Sequence, residues 1–265
     1  MSESIAKIKE EYKKTSEFGI LEYNDELEAL FSFIDRYNDD ERSGVQSVIS
    51  SAEKRINKIN KEISRVQDMM QFENKYAAEF HHICGVDEVG RGPLAGPIVT
   101  AAVILPEGMI IPYVNDSKQI NEAKREELYD IITKNAVSYS IGIKSEKEID
   151  DIGIAKADSL AMKEAVLGLD VKSDLVLVDA FKIPELDIKQ VPIIKGDTKS
   201  VSIAAASIVA KVTRDRMMVE YSKKYPEYGF DSNKGYGSAM HIEALKTVGP
   251  CDIHRRSFIG NFVEV

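Results

Sequence analysis

The chain has 265 residues, 43% hydrophobic and 30% charged, a balance that supports a folded globular protein and excludes a disordered or low-complexity one. Its two cysteines, Cys84 and Cys251, cannot build a disulfide framework, and its longest apolar run, Ile98 to Leu105, is far short of the ~20 residues of a membrane helix. The net charge of −9 speaks against a general polyanion binder, yet residues 181–265 carry 13 basic and 10 acidic side chains, so a local basic face is available to hold phosphates.

The start, Met1 to Lys14, is polar and charged and does not read as a signal peptide, so a reduced, cytoplasmic setting with two small buried thiols is expected. Leu27, Leu30, Phe31 and Ile34 predict a short amphipathic helix, and the polar stretch Asn38 to Gly44 ends it. From Val45 the apolar positions run Ile49, Ala52, Ile56, Ile59, Ile63, Val66 and Met70, in steps of four and three that form a heptad stripe on one long helix. Lys54, Arg55, Lys58, Lys61 and Arg65 lie between them and are expected to face solvent. The stripe reads as a helical hairpin packed on itself or on the main domain; a dimerising coiled coil and a substrate-touching arm are the alternatives.

From His82 the pattern is mixed α and β. Ile83 to Val86, Ile98 to Leu105, Val137 to Ile143, Leu175 to Val178 and Val191 to Ile194 read as strands. Asn121 is placed to cap a helix carrying Leu128, Ile131 and Ile132, and further helices are expected over Ile154 to Leu169 and around Ser202 to Tyr221. The coarse order is β-β-β-α-β-α-β-α. Residues 1–72 are read as a helical extension and residues 73–265 as an α/β domain.

The densest signal is Ile83 to Pro97, ICGVDEVGRGPLAGP. Asp87 and Glu88 close an apolar strand and Gly90-Arg91-Gly92 follows at once. Neighbouring side chains on a strand point to opposite faces, so both carboxylates reach one site only if the strand ends or bulges there. The segment from Gly90 to Ala95 also matches the dinucleotide fingerprint, but that needs a helix opening at the second glycine, and a proline-bounded β-branched run follows instead. Asp179 closes the run LVLV, and Asp197 lies in Lys195-Gly196-Asp197-Thr198-Lys199. A lone Asp after a strand is commonly a turn former. Four carboxylates at the ends of central strands suit hard cations such as Mg²⁺ or Mn²⁺, and two such ions can cleave a phosphodiester. Lys199, Lys211, Arg214 and Arg216 could position phosphates; for each, the plain alternative is a solvated helix face. His241 and His254 read as a helix-surface and a core residue, not as zinc ligands, and His81 and His82 as junction residues.

Taken together, GVDEVGRGPLAGP, DSK at Asp116 to Lys118, VDA at Val178 to Ala180, KGDTKSVSIAAASIVAKVTRDR at Lys195 to Arg216, YGF at Tyr228 to Phe230, NKGYG at Asn233 to Gly237 and HRRSF at His254 to Phe258 resemble the ribonuclease HII family over residues 82–260. The resemblance implies an RNase H-like α/β fold: a mixed five-stranded sheet flanked by helices, with a helical N-terminal extension and a helical C-terminal part. It implies hydrolysis of the RNA strand of RNA–DNA hybrids, and incision 5′ of single ribonucleotides in duplex DNA, leaving 3′-hydroxyl and 5′-phosphate ends. It further implies Asp87, Glu88, Asp179 and Asp197 as catalytic and metal-binding residues for two Mn²⁺ or Mg²⁺ ions. Gly90, Arg91 and Gly92 match the loop that senses the ribose 2′-hydroxyl, and Tyr236 matches the tyrosine that stacks at the junction. Lys118, Lys199 and Lys211 are the further substrate-binding candidates. A monomer without membrane association is expected. Ala180 stands where many members have glycine, a change expected to be mild. The extension has no counterpart in the shortest members. The related ribonuclease HIII enzymes carry a β-rich one and a different glycine loop, so Arg91 favours HII. Two rivals are a binding protein that kept the fold without the chemistry, and a helical interaction module with a secondary nuclease part.

Overall fold

The structure, a computed structural model, describes residues 3–264. The chain forms two compact units, one reaching to Asp68 and including Ile110–Tyr113, the other comprising Met69–Met109 and the residues from Val114 onward.

The first unit is built on three helices, α1 (Ile5–Lys14), α2 (Tyr23–Tyr37) and α3 (Ser43–Met69). Ser4 caps α1, an element that the charged N-terminal sequence hides; its signal is the apolar spacing Ile5, Ile8, Tyr12. The heptad stripe of α3 packs within this unit: Val45, Val48, Ile49, Ala52, Ile56 and Ile59 bury themselves against Ile8, Leu30, Phe33 and Tyr37. The self-packed hairpin is thus the arrangement the stripe adopts here, with a third helix added. Phe31, expected on the apolar face of α2, is exposed, and Phe33 is buried in its place. Lys54, Lys58 and Lys61 face solvent as expected. Arg55 and Arg65 do not simply face it: Arg55 pairs with Glu26 at 2.5 Å and Arg65 with Glu62 at 2.7 Å. The Tyr37 hydroxyl donates to Glu3 and Glu11, at 2.6 and 2.7 Å.

In the second unit, α4 (Gln71–Tyr76) precedes a five-stranded sheet in the order β3-β2-β1-β4-β5, with β1 (Ile83–Val89) at its centre. β2 (Ile98–Ile104) is antiparallel to β1 and to β3 (Ser138–Lys144), whereas β4 (Leu175–Asp179) runs parallel to β1 and to β5 (Lys189–Ile193). α5 (Glu122–Asn135), capped by Asn121, stands before β3, and α6 (Glu146–Ile152) and α7 (Ile154–Leu167) follow it. This corrects the order read from sequence. The helix after Asn121 precedes the third strand, α6 is an additional helix with a Ser145–Glu148 capping box, and no helix joins β4 to β5. The β4–β5 link, residues 180–188, is an irregular loop pinned by the Gln190 amide, which bonds Ile183 on both backbone groups and the Leu186 carbonyl. Pro192 is tolerated because β5 is the sheet edge.

α7 covers one face of the sheet over Val86, Ala102, Val176 and Val178. The long helix α8 (Val201–Lys224) covers the other, where Ile203 meets Leu175, Leu177 and Ile193. The helical C-terminal part comprises α9 (Phe230–Asn233), α10 (Ala239–Val248) and α11 (Arg256–Ile259), clustered with Ala95 and Met218. Cys84 is buried, whereas Cys251 is half-buried. Among the described residues no helix is long and apolar enough to cross a membrane.

α8 lies on β1 because Gly85 has no side chain: a Cβ there would stand 2.0 Å from the Ser202 carbonyl carbon. Relief requires moving a helix backbone, so Gly85→Ala is expected to destabilise by about 3 kcal/mol or more, the upper range for overpacking. Chemical denaturation would measure it, and a loss under about 1 kcal/mol would show that α8 can shift freely.

Candidate active site

Asp87 and Glu88 do not follow the end of β1, as the sequence suggested, but lie inside it, because the strand continues to Val89. Their side chains therefore leave β1 on opposite faces, yet Glu88 stays near enough to Asp87 and Asp179 for their charges to act on it. Asp87 shares the face of Gly85 and faces α8, where Ser207 favours the charged form of its carboxyl. Ser207 stands 3.0 Å from the hydroxyl of buried Ser117, in the DSK segment. Glu88 turns to the α7 side, where Arg91 lies 3.9 Å from it and 3.4 Å from Asp158.

Asp179 stands at the end of β4, one residue beyond the Val86–Val178 pairing, beside Asp87. The backbone N–H of Gly196 donates to its Oδ1 at 2.7 Å. Gly196 opens the short 3₁₀ turn carrying Asp197, entered through Lys195 in the left-handed conformation. One hydrogen bond thus ties the Asp179 carboxylate to the Asp197 turn. Ala180 has φ +59°, the region that glycine occupies without strain. Its methyl costs roughly 1 kcal/mol there, so the change is less mild than the sequence suggested, although Asp179 keeps its place.

Burial pushes the Asp87 carboxyl up to about 7, with Asp179 and Asp197 adding repulsion. Glu88 is pushed up to about 9 by burial, and then by Asp87 and Asp158. Asp197 is also raised by burial, with Asp116 and Asp179 contributing. Asp158 goes to about 6 through burial, opposed by Arg91. Burial works against the charged form of Lys118, but Asp116, Asp87 and Asp197 together hold its ammonium above its ordinary value. The centre is therefore short of positive charge. Among the described residues no three acidic, His or Cys side chains enclose an ion as they stand. The donor set itself, all carboxylate oxygens and mutually repelling, matches hard divalent cations.

The Gly90-Arg91-Gly92 loop is held by two buried guanidinium groups. Arg255 donates to the carbonyls of Gly90, Arg91 and Gly96 at 2.6, 3.1 and 2.9 Å. Arg214 donates to those of Pro97, Ala95 and Lys234 at 2.9, 3.0 and 2.8 Å. Arg214 thus leaves neither its phosphate-positioning reading nor its solvated-face reading standing, since it is wholly buried. Gly90 has φ +99°, and a Cβ there would meet Arg214 Nε at 2.5 Å. Gly92 faces Tyr236: its missing Cβ would lie 3.9 Å from Tyr236 Cε1, and the ring is partly exposed. No helix opens at Gly92, which removes the dinucleotide reading.

The remaining cations divide. Lys118 joins the acidic centre. Lys199 is exposed and donates to the Ile194 carbonyl at 2.9 Å. Lys211 is largely buried and pairs with Asp215 at 2.7 Å, and Asp215 lies 3.7 Å from Arg125. Arg125 in turn donates to the Ser117 carbonyl at 2.5 Å, which ties this network to the DSK segment. Arg216 pairs with Glu126. His241, read as a helix-surface residue, is wholly buried, because its ring nitrogens bond Tyr236 and His254 inside the C-terminal cluster. Sequence reasoning missed Asp158, Ser207 and Arg255. The one signal for Asp158 was an acid on the small-residue face Ala157–Ala161 of α7.

The family model described as Ribonuclease HII matches residues 84–261, and one described as Ribonuclease HII N-terminal domain matches residues 4–77. The helical extension is therefore a recognised part of the family. The chain is 53% identical over 250 residues to Ribonuclease HII of Lachnoclostridium phytofermentans, covering 92% of this chain and 98% of that protein. It is 48% identical to Ribonuclease HII of Clostridium beijerinckii, covering 97% of this chain and 94% of that one. Among solved structures it is similar to ribonuclease H2 from Pyrococcus horikoshii, with a TM-score of 0.56 and 29% identity over 66% of this chain and 92% of that one. With the mixed sheet, the acidic strand ends and the glycine loop in view, these matches identify the chain as a member of the ribonuclease HII family, a hydrolytic endoribonuclease.

Proposed function

We propose that this enzyme hydrolyses the RNA strand of RNA–DNA hybrids and cuts on the 5′ side of single ribonucleotides in duplex DNA, leaving 3′-hydroxyl and 5′-phosphate ends. The observation that carries the reading is the pairing of two features in one unit. One is a set of mutually repelling, largely buried carboxylates on β1, at the end of the adjacent β4 and on the turn after β5. The other is a glycine-flanked loop whose Gly92 faces the Tyr236 ring.

Asp87, Glu88, Asp179 and Asp197 are the residues that would hold two divalent ions, Mn²⁺ or Mg²⁺. When bound, such ions neutralise the carboxylates and supply an activated water and leaving-group stabilisation. The Gly196 amide keeps the Asp179 carboxylate oriented. Lys118, among these acids, is suited to a substrate phosphate. Lys199 is accessible for a phosphate beside the Asp197 turn. Lys211 supports the DSK segment through Asp215 and Arg125.

Gly90, Arg91 and Gly92 select the ribose. The 2′-hydroxyl is the feature that separates RNA from DNA at a single residue. Reading it demands close backbone approach, which glycine permits. Tyr236 stacks on the sugar–base step against that loop.

Asp87→Asn is expected to lower cleavage of a duplex bearing one ribonucleotide by on the order of a thousandfold or more while the fold persists, measured as single-turnover rate beside circular dichroism. A variant cutting at the native rate would exclude the assignment of Asp87.

A second expectation concerns pH without added divalent ion. Glu88 is raised from 4.5 to about 9 and Asp87 from 3.8 to about 7, so above about pH 5 the unfolded chain has released protons that the folded chain keeps, on Asp87 up to about pH 7 and on Glu88 up to about pH 9. Stability therefore falls as pH rises through that window. Melting temperatures should decline more steeply for the native protein than for Glu88→Gln, and Mn²⁺ should protect more at the alkaline end. Equal slopes for the two proteins would contradict this account of the charge.

A further inference from the structure

The backbone carbonyl of Tyr236 meets a buried pair of imidazoles. His241 Nδ1 lies 2.9 Å from that oxygen. A carbonyl only accepts, so this nitrogen carries the proton. At the other end, His254 Nδ1 lies 3.0 Å from the backbone N–H of Cys251, which only donates, so that nitrogen offers its lone pair. The rings meet Nε2 to Nε2 at 2.9 Å. With both rings neutral, His254 donates to His241. The two ends independently demand the same tautomers, and the bonds run in one direction from the Cys251 amide to the Tyr236 carbonyl. An added proton on either ring would set two donors against each other. Burial opposes it as well, pushing His241 below its ordinary value and His254 down to about 4. Tyr228 and Phe230 hold the rings, with centroids 4.8 Å from His254 and 5.2 Å from His241 respectively.

His254 rides on a segment fastened to the continuation of the glycine loop. It bridges Ala95, the Gly96 N–H donates to the Ile253 carbonyl at 2.8 Å, and the Arg255 N–H donates to the Leu94 carbonyl at 2.9 Å. His241, on α10, grips the Tyr236 side. The imidazole pair therefore spans the two elements whose approach brings Gly92 beside the Tyr236 ring.

We infer that His241 and His254 are positioning residues that fix the Tyr236 ring relative to the Gly90–Gly92 loop and thereby set how efficiently the enzyme cuts at a ribonucleotide. The inference rests on the reading of Tyr236 given above. Neither imidazole touches substrate; both act through the Tyr236 backbone.

The test measures kcat/KM with Mn²⁺ on a DNA duplex carrying one ribonucleotide, for His241→Leu, His241→Asn, Tyr236→Ala and the double variant Tyr236→Ala/His241→Leu. Asn keeps an N–H at the branch point of Nδ1 and so can still donate to the Tyr236 carbonyl. His241→Leu is expected to lose on the order of 10- to 100-fold, the size of effect that a small misplacement of a positioning group produces. His241→Asn should recover most of that loss. The double variant should be no worse than Tyr236→Ala, since both changes remove one function. Losses that multiply in the double variant, or equal losses for Asn and Leu, would mark His241 as a packing residue and overturn the inference. Native activity in His241→Leu with a deficient Tyr236→Ala would overturn the inference alone. Native activity in Tyr236→Ala would overturn the reading of Tyr236 and the inference with it. Should His241→Leu fail to fold, His254→Leu against His254→Gln, which retains an N–H near Nε2, makes the same comparison.

Discussion

Two guanidinium groups, Arg214 and Arg255, are buried with backbone carbonyls as their hydrogen-bond partners. A buried charge without a carboxylate is tolerated only where hydrogen-bond partners surround it, and here each of the six guanidinium nitrogens donates to one carbonyl. Arg255 holds the glycine loop at Gly90 and Arg91, Arg214 holds the segment before Tyr236 at Lys234, and both also bond the stretch Ala95 to Pro97. Burial lowers both groups, Arg214 to about 10 and Arg255 to about 9, and both stay charged at neutral pH. Without this clasp the carbonyl of buried Gly90 would lose its arginine donor, at a cost of about 1–3 kcal/mol. The placement of Gly92 beside the Tyr236 ring is thus a consequence of arginine–backbone bonding.

The acidic centre depends on a different constraint, the alternation of a strand. Because β1 runs through Asp87 and Glu88, one carboxylate meets α8 and the other meets α7. Gly85 lets the α8 backbone at Ser202 and Ile203 approach β1 closely, on the face that carries Asp87. Asp179 joins Asp87 from the adjacent parallel strand, and the Gly196 amide brings the Asp197 turn to Asp179. The resulting concentration of buried negative charge lowers stability as its members ionise, and a bound cation would relieve it. Charge demand and chemistry point the same way.

Much of this was legible in the sequence, for physical reasons. Continuous apolar runs such as LVLV announce buried strands, and Asn121 announces its helix through capping. The heptad stripe from Val45 announced a long helix that buries one side, but not its partners. The charged N-terminal residues hid α1, whose stabilising contacts come from α2 and α3. The extent of β1 was misjudged because two acids look like a strand end when only local propensity is considered. Arg214 and His241 were misread because helical periodicity gives a residue's direction but not what fills the space there. Asp158 was missed because its partner Arg91 is far away in sequence. Ala180 looked innocuous because a left-handed φ cannot be seen in residue type alone.

The central claim is that the loop facing Tyr236 reads a single 2′-hydroxyl and directs the carboxylates to the adjacent phosphate. It is tested most directly with three matched DNA duplexes that differ at one nucleotide: ribose, deoxyribose, or 2′-O-methyl ribose. The account predicts one EDTA-sensitive cut, 5′ of the ribose, with neither other duplex cut. Cutting of the deoxyribose or 2′-O-methyl duplex at a comparable rate would contradict it.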